Sequence, residues 1–317
     1  GASRQKKIQE QQEKIKMDNE ITICSYAKIN LSIDVTGVRG NGMHEVDMIM
    51  QSISLHDDVS VRMTSGKGSV RVRTNRPYLP VDRRNLAFAA AELMINKLGL
   101  KDRDISIDIT KRIPVAAGLA GGSSNAAAVM HAVNTMTGSG VSLGEMCNLS
   151  VRLGSDVPFC LVSQARGNYR LSRRIKKDPA ASSCARARGI GTELTPIRGI
   201  RAWVVIAKPK GGVSTAEVYK GIDRCTIKAR PDNSRLANAM RSDSDKDVGA
   251  GMINVLECYT LRKYPDVSEL KALMSRIMPG STVLMSGSGP TVFALAADVG
   301  TVRSASALLR KKRYEAY

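Results

Sequence analysis

From Ile21 to Val35 apolar and polar residues partly alternate, the period-two pattern of a strand. The turn Gly37-Val-Arg-Gly-Asn-Gly42 predicts a return strand reaching Leu55, and Val59–Met63 and Val70–Val72 read as further short strands. Asn85–Leu98 changes to helical spacing and ends at Gly99, a residue suited to a left-handed C-terminal position. Ile105–Ile109 predicts a strand feeding a glycine-rich loop, and Ser123–Met136 the helix after it. Leu143–Leu153 predicts a second helix closed by Gly154. Residues 166–188 are basic, polar and small without an apolar period, which predicts an exposed loop. A short strand over Ala202–Ala207 opens another unit, with helical stretches around 215–221, 234–240, 248–260 and 266–277. A hairpin of Thr282–Met285 and Thr291–Leu295 then precedes a helix over Val302–Leu309. Strands and helices mix without βαβ regularity, so the expected class is α+β in two lobes.

A length of 317 residues suits about two domains. The expected division is a flexible basic leader over 1–18, an N-terminal domain over 19–165, the basic loop 166–188, and a C-terminal domain over 189–317. Hydrophobic residues make up 43% of the chain, which excludes a disordered protein. No apolar run approaches the roughly 20 residues that span a bilayer, and no signal-peptide pattern opens the chain, so no membrane partner is expected. The cysteines at 24, 147, 160, 184, 225 and 258 form no Cys-x-x-Cys pair, which argues for reduced thiols, no metal held by them, and a cytoplasmic location. Met17 followed by Asp-Asn-Glu looks like a natural start, leaving 1–16 as an added leader or an upstream extension. Its two acidic residues and single serine argue against a plastid transit peptide.

The net charge of +19 is unevenly placed: residues 166–188 hold eight Lys/Arg against Asp178 alone, and residues 1–16 hold five against two Glu. An enzyme that handles nucleotides needs no nucleic acid to explain such a charge, because its substrates are polyanions. A nucleic-acid or anionic-surface binder using the basic stretch is the rival of another class. A monomer and a homodimer are both compatible with the sequence.

Candidate chemistry centres on Pro114-Val-Ala-Ala-Gly-Leu-Ala-Gly-Gly-Ser-Ser-Asn125. Glycines let backbone N–H groups converge, and Ser123, Ser124 and Asn125 are good N-cap residues, so a helix should present its positive end to the loop. That combination suits a phosphate, although neither a Walker loop nor a dinucleotide fingerprint is present. Tyr26-Ala-Lys-Ile-Asn-Leu31 puts Lys28 and Asn30 on one face of a strand; taken alone, Lys28 reads as a solvent-facing lysine. Asp156, in Leu153-Gly-Ser-Asp-Val-Pro-Phe159, reads equally as an Asx turn or a cap, and His44 after Gly42 as a packed histidine. Ser286-Gly-Ser-Gly-Pro290 alone could be only a hairpin turn.

In this order, and with Met50-Gln-Ser-Ile-Ser-Leu-His-Asp57, these motifs resemble the GHMP small-molecule kinases over about residues 19–310. The resemblance implies a two-lobed GHMP kinase fold, with an N-terminal S5-like nucleotide-binding lobe and a C-terminal ferredoxin-like lobe. It also implies ATP as phosphoryl donor, Mg2+ travelling with it, and a small-molecule acceptor. The first two motifs match the branch that phosphorylates a tertiary hydroxyl on a cytidine diphosphate-linked sugar alcohol in isoprenoid precursor synthesis. Another GHMP kinase, of the homoserine or mevalonate type, is the alternative. By position, the resemblance implies Lys28 and Asp156 as catalytic residues. Pro114, Ala116, Ala117, Gly118, Leu119, Ala120, Gly121, Gly122, Ser123 and Ser124 would cradle ATP, with Asn85 near the adenine. Asn30, His44, Thr215 and Tyr219 would contact the acceptor, His44 at the cytosine edge and Tyr219 stacked on the ring. Met43 stands where some members have an aromatic, and Ala116, Ala117 and Ala120 stand where glycines are frequent. Residues 166–183 lengthen a connection that is normally short.

Overall fold

A computed structural model describes residues 19–242 and 244–317, so the leader expected over 1–18 lies outside the described residues. The described chain forms two compact units, and neither is one continuous stretch. The first takes residues 19–27, 54–113 and 121–182; the second takes 28–53, 114–120 and the described part of 183–317. This differs from a linear division into 19–165 and 189–317, because two long strands run from one unit into the other. They are β1 (Glu20–Val38) and β2 (His44–Ser65), which pair with each other. In β1 the positions Ile21, Ile23, Ser25 and Ala27 are buried alternately, and from Lys28 to Val35 every residue is buried. The alternation in the sequence is therefore partial because the later half of the strand is covered on both faces. β2 absorbs both of the strands expected up to Leu55 and over Val59–Met63.

In the first unit, the far half of β2 pairs antiparallel with β4 (Arg103–Thr110), from Asp58 opposite Thr110 to Ser65 opposite Arg103. β3 (Val70–Thr74) pairs parallel with β4, Val72 opposite Ile107. Val59, Val61, Ile105, Ile107 and Ile109 supply its buried apolar positions. Helix α1 (Leu86–Leu98) begins at Asn85, whose side chain accepts from Ala87 N–H, and ends at Gly99 with φ 68°. It packs on α2 (Gly121–Thr137), which is buried from Ser124 to Asn134 and rich in alanine, so neighbours approach closely. α3 (Leu143–Ser150) and α4 (Val157–Gly167) follow. α4 is buried at every position from Val157 to Ala165, so it has no polar face to reveal a helical period.

The exposed basic loop expected over 166–188 is not what forms. Residues 166 and 167 close α4, α5 (Arg173–Lys176) follows, and Cys184–Gly189 is strand β5. Asn168, Leu171, Ile175, Cys184, Ala185 and Ala187 are buried anchors among exposed arginines and lysines. Long cationic side chains can keep their heads in water over such anchors, which conceals the burial from a composition reading.

In the second unit β5 pairs antiparallel with β2, Val46 opposite Gly189, and with β6 (Glu193–Pro196). A separate antiparallel sheet has the order β10-β7-β9-β8, built from β7 (Trp203–Lys208), β8 (Val283–Met285), β9 (Val292–Ala296) and β10 (Glu315–Ala316). Its helices are α6 (Thr215–Ile222), α7 (Asn233–Arg241), α8 (Asp245–Gly251), α9 (Glu257–Lys263), α10 (Pro265–Ile277) and α11 (Val299–Lys311). The single helix expected over 248–260 is interrupted at Asn254. That buried side chain donates to Met285 O and Gly287 O, both at 2.8 Å, while its Oδ1 accepts from Leu256 N–H. Ile33 also bonds the backbone on either side, at Ile253 O and Val255 N–H. These bonds replace the helical ladder.

Candidate active site

Two elements of the second unit hold the loop Pro114–Ala120. Left-handed φ recurs at alternate residues, Ala116 (50°), Gly118 (71°) and Ala120 (55°). Such alternation turns successive N–H groups to one side and makes a concavity that receives anions. The alanines adopt the conformation despite the steric penalty of about 1 kcal/mol or more for each Cβ. At Gly118 the need for glycine is also one of space: a Cβ there would lie 2.5 Å from Ser286 O and 2.9 Å from Gly289 O. Ser286 Oγ donates to Gly118 O at 3.1 Å, and Lys28 N–H donates to Leu119 O at 3.1 Å. The hairpin turn and β1 therefore pin the loop from the protein side.

In the first unit the helix that follows starts at Gly121, two residues before the start expected from Ser123. Left-handed Ala120 ends the loop, so Ser123, Ser124 and Asn125 sit in the first helical turn and are not its caps. Ser124 Oγ donates to Tyr26 O at 2.6 Å and accepts from Gln164 Nε2 at 3.0 Å. Asn125 Nδ2 donates to Ser25 Oγ and to Asp57. Both side chains hold the helix to its neighbours, leaving half-buried Ser123 as the hydroxyl at the helix start. Gly121 is also a spatial requirement, since a Cβ would lie 2.7 Å from Lys111 Nζ. The first N–H groups of α2 have no partner within the helix and lie at its positive end.

The fully buried Asp57 braces this region. Its Oδ1 accepts from the backbone N–H of Arg112 (2.7 Å) and Ile113 (2.8 Å), and its Oδ2 from Asn125 and from Lys111 Nζ. Burial pushes the Lys111 ammonium below the usual lysine range, against the pull of Asp57. Neither residue was singled out from the sequence; a lysine ending a strand gives no sign that it is buried.

Asp156 occupies the position before α4, but its side chain makes no cap bond there, unlike the capping role open to it in the sequence. The turn that carries it lies beside the start of α2: a Cβ on Gly154 would be 4.0 Å from Ser123 Oγ. Asn85 uses its side chain as the α1 cap and donates from Nδ2 to Pro80 O at 2.9 Å. Next to it, Leu86 Cδ1 is 3.7 Å from where a Cβ on Gly122 would stand.

The acceptor candidates belong to the second unit. Lys28 is only 4% exposed, contrary to the solvent-facing reading, and its Nζ donates to Asn30 Oδ1 at 2.6 Å. Asn30, fully buried, bonds from its backbone N–H to Ser286 Oγ and from Nδ2 to Met48 Sδ. Lys28, Asn30, Gly118 and Ser286 thus form one group. His44 and Tyr219 form another, with ring centroids 5.1 Å apart and planes at 48°. His44 Nε2 is 2.9 Å from Asp223 Oδ1, a partner the sequence did not reveal. Thr215 Oγ1 bonds to Ser288 Oγ at 2.8 Å, which ties α6 to the hairpin turn. Asn254, through its bonds to Met285 and Gly287, is a further support of that turn.

Comparison with known proteins identifies the family of the chain. Residues 85–164 match the family described as GHMP kinases N terminal domain, and residues 226–314 match GHMP kinases C terminal. The chain is 40% identical over 287 residues to 4-diphosphocytidyl-2-C-methyl-D-erythritol kinase of Alkaliphilus metalliredigens, covering 90% of this chain and 91% of that one. It is 41% identical over 272 residues to the Bacillus pumilus enzyme of the same name, covering 85% and 86%. A crystal structure of 4-(cytidine 5'-diphospho)-2C-methyl-D-erythritol kinase superposes with a TM-score of 0.72 at 29% identity, covering 94% of this chain and 97% of that one. Homoserine kinase from Cytophaga hutchinsonii superposes at 0.64 with 16% identity over 94% of each chain, a likeness of fold alone. The chain belongs to the GHMP kinase family and, within it, to the 4-diphosphocytidyl-2-C-methyl-D-erythritol kinases.

Proposed function

We propose that this chain transfers the γ-phosphoryl group of ATP to the 2-hydroxyl of 4-diphosphocytidyl-2-C-methyl-D-erythritol, in the non-mevalonate route to isoprenoid precursors. The observation that carries the reading is 40% identity, over 90% of the chain, to enzymes of that name. The alternating left-handed loop at 116–120 supports it as an anion cradle. The acceptor oxygen attacks the γ-phosphorus, the bond to ADP breaks, and the acceptor proton passes to Asp156. Lys28, held by Asn30, stabilises charge on the transferring group. Pro114 to Ser124 receive the ATP phosphates, and Asn85 lies at the adenine end. Mg2+ would accompany ATP and offset its phosphate charge; Ser123 Oγ would suit such a hard cation, whereas Ser124 Oγ is committed to Tyr26 and Gln164.

For the acceptor, Tyr219 stacks on cytosine and His44 reads its edge. With Nε2–H donating to Asp223, His44 Nδ1 carries a lone pair. A lone pair there accepts from the exocyclic amine of cytosine and repels the carbonyl of uracil. Thr215 completes the acceptor contacts. Among the described residues no helix is long and apolar enough to cross a membrane, and no disulfide links the cysteines; a cytoplasmic enzyme fits both.

An acceptor panel tests the proposal, with ADP release followed for the cytidylyl compound, homoserine and mevalonate. Turnover of the cytidylyl compound alone is expected. Turnover of homoserine with an inert cytidylyl compound would overturn the substrate and leave the kinase.

A further inference from the structure

We propose that Cys24, His56 and Asp58, in the first unit, form a binding site for a transition-metal dication of the zinc class. None of the three is assigned to phosphoryl transfer. One ligand atom from each, a sulfur, an imidazole nitrogen and a carboxylate oxygen, lies within 4.8 Å of the others. Bond lengths of about 2.0–2.3 Å place the ligands of a tetrahedral zinc roughly 3.3–3.7 Å apart. Closure therefore needs movements of about 1 Å, within reach of small side-chain rotations.

The surroundings orient each ligand. His56 Nδ1 lies 2.7 Å from Ser54 O, and a carbonyl only accepts, so Nδ1 carries the proton. In the neutral ring Nε2 then presents a lone pair, turned toward Asp58 Oδ1 at 3.5 Å. A backbone carbonyl on the far nitrogen is the usual support of a metal-ligating histidine. Arg112 Nη2 holds the other oxygen of Asp58 at 2.6 Å, which leaves Oδ1 for the ion. The backbone of Cys24 is clamped on both sides by Asn168, which accepts from its N–H at 2.9 Å and donates to its carbonyl at 3.0 Å. Tyr26 packs edge-on against the His56 ring, centroids 5.7 Å apart.

The chemistry of the set selects the metal. Thiolate, carboxylate and neutral imidazole sum to two negative charges, matching a dication, and the Cys24 thiol releases its proton to solvent on binding. Arg112 opposes the ion's charge and moderates affinity. A soft sulfur disfavours hard Mg2+ and favours Zn2+ or Co2+, so the ion that accompanies ATP does not compete. All three residues are half-buried, which gives an ion access and leaves a fourth position for water.

Cobalt titration of the full chain, stripped of metal with a chelator, tests the site. One Co2+ per chain is expected, with a thiolate-to-cobalt charge-transfer band and tetrahedral visible bands. Zn2+ should abolish these bands, and a large excess of Mg2+ should not. Cys24→Ser should remove the charge-transfer band and, with His56→Gln, weaken Zn2+ binding by about tenfold or more. Cys258→Ser should change neither. Kinase activity without added Zn2+ and an unchanged melting temperature verify that the Cys24→Ser protein is folded. Absence of the band in the wild type, or its persistence in Cys24→Ser, would overturn the proposal.

Discussion

Ser286 and Gly118 are locked together: the serine hydroxyl donates to the glycine carbonyl, and the serine carbonyl occupies the space a glycine Cβ would need. Gly118→Ala therefore meets a left-handed φ and a clash at one position. It should lower melting stability by about 1–3 kcal/mol and raise the KM for ATP, read from thermal melts and initial rates. Ser286→Ala should cost about 1 kcal/mol for the lost hydrogen bond and shift the ATP KM less.

Asp57 accepts from two backbone N–H groups, one amide and one ammonium while fully buried. Asp57→Ala leaves the Lys111 charge buried without its counter-ion. A loss of about 3–5 kcal/mol in urea unfolding is expected. Replacing both residues with apolar ones should recover part of that loss. A change below about 1 kcal/mol in the single variant would remove the bracing role.

His131 lies wholly inside the first unit, and desolvation pushes its imidazole down to about 4 from an ordinary 6.5, the Leu161 carbonyl pulling weakly the other way. Above about pH 6.5 the ring is neutral in both states and adds no pH dependence. As pH falls from about 6.5 to about 4 the unfolded chain takes up a proton that the native one refuses, so stability is lost over that window. The loss approaches about 3 kcal/mol. Unfolding curves across this range should show the wild type losing up to about 3 kcal/mol more stability than His131→Gln.

Asp156→Asn should reduce kcat by about 100-fold or more with the ATP affinity near normal. Lys28→Met should also reduce kcat, with a further loss of stability because Lys28 Nζ is bonded to buried Asn30. Full activity in either variant would contradict the assigned role.

Tyr219→Ala should weaken cytidylyl acceptor binding by about 1–3 kcal/mol, seen as a raised KM with little change for ATP. Asp223→Ala frees the His44 ring to adopt either tautomer. It should narrow the preference for the cytidylyl acceptor over its uridylyl analogue, a ratio of kcat/KM values that compares the two directly.

The sequence was most legible where local chemistry decides structure. Asn85 and Gly99 cap a helix as their types suggest, and Ser286–Pro290 turns a hairpin. It was least legible where burial removes the signal. Helix α4 is buried on all sides from Val157 to Ala165, and β5 sets its buried Cys184, Ala185 and Ala187 beside Arg186 and Arg188. Asn254 breaks a helix only because the chain near Met285 and Gly287 offers carbonyls to its side chain, a partnership across 31 and 33 positions. Among the candidate site residues, motif order drew attention to Lys28 and Asn30, and the family resemblance to Tyr219. Ser124 looked like an N-cap because nothing local announces that Ala120 would turn left-handed and start the helix earlier. Asp57 stood inside a quoted motif, but its four donors come from positions 54 to 68 residues away.

Alanine at 116 and 120 has a genetic corollary. Alanine codons are GCN and glycine codons GGN, so one C-to-G change at either position relaxes that backbone while keeping its curvature. Backbone strain in the loop at 116–120 is thus a heritable quantity that two independent mutational steps can lower.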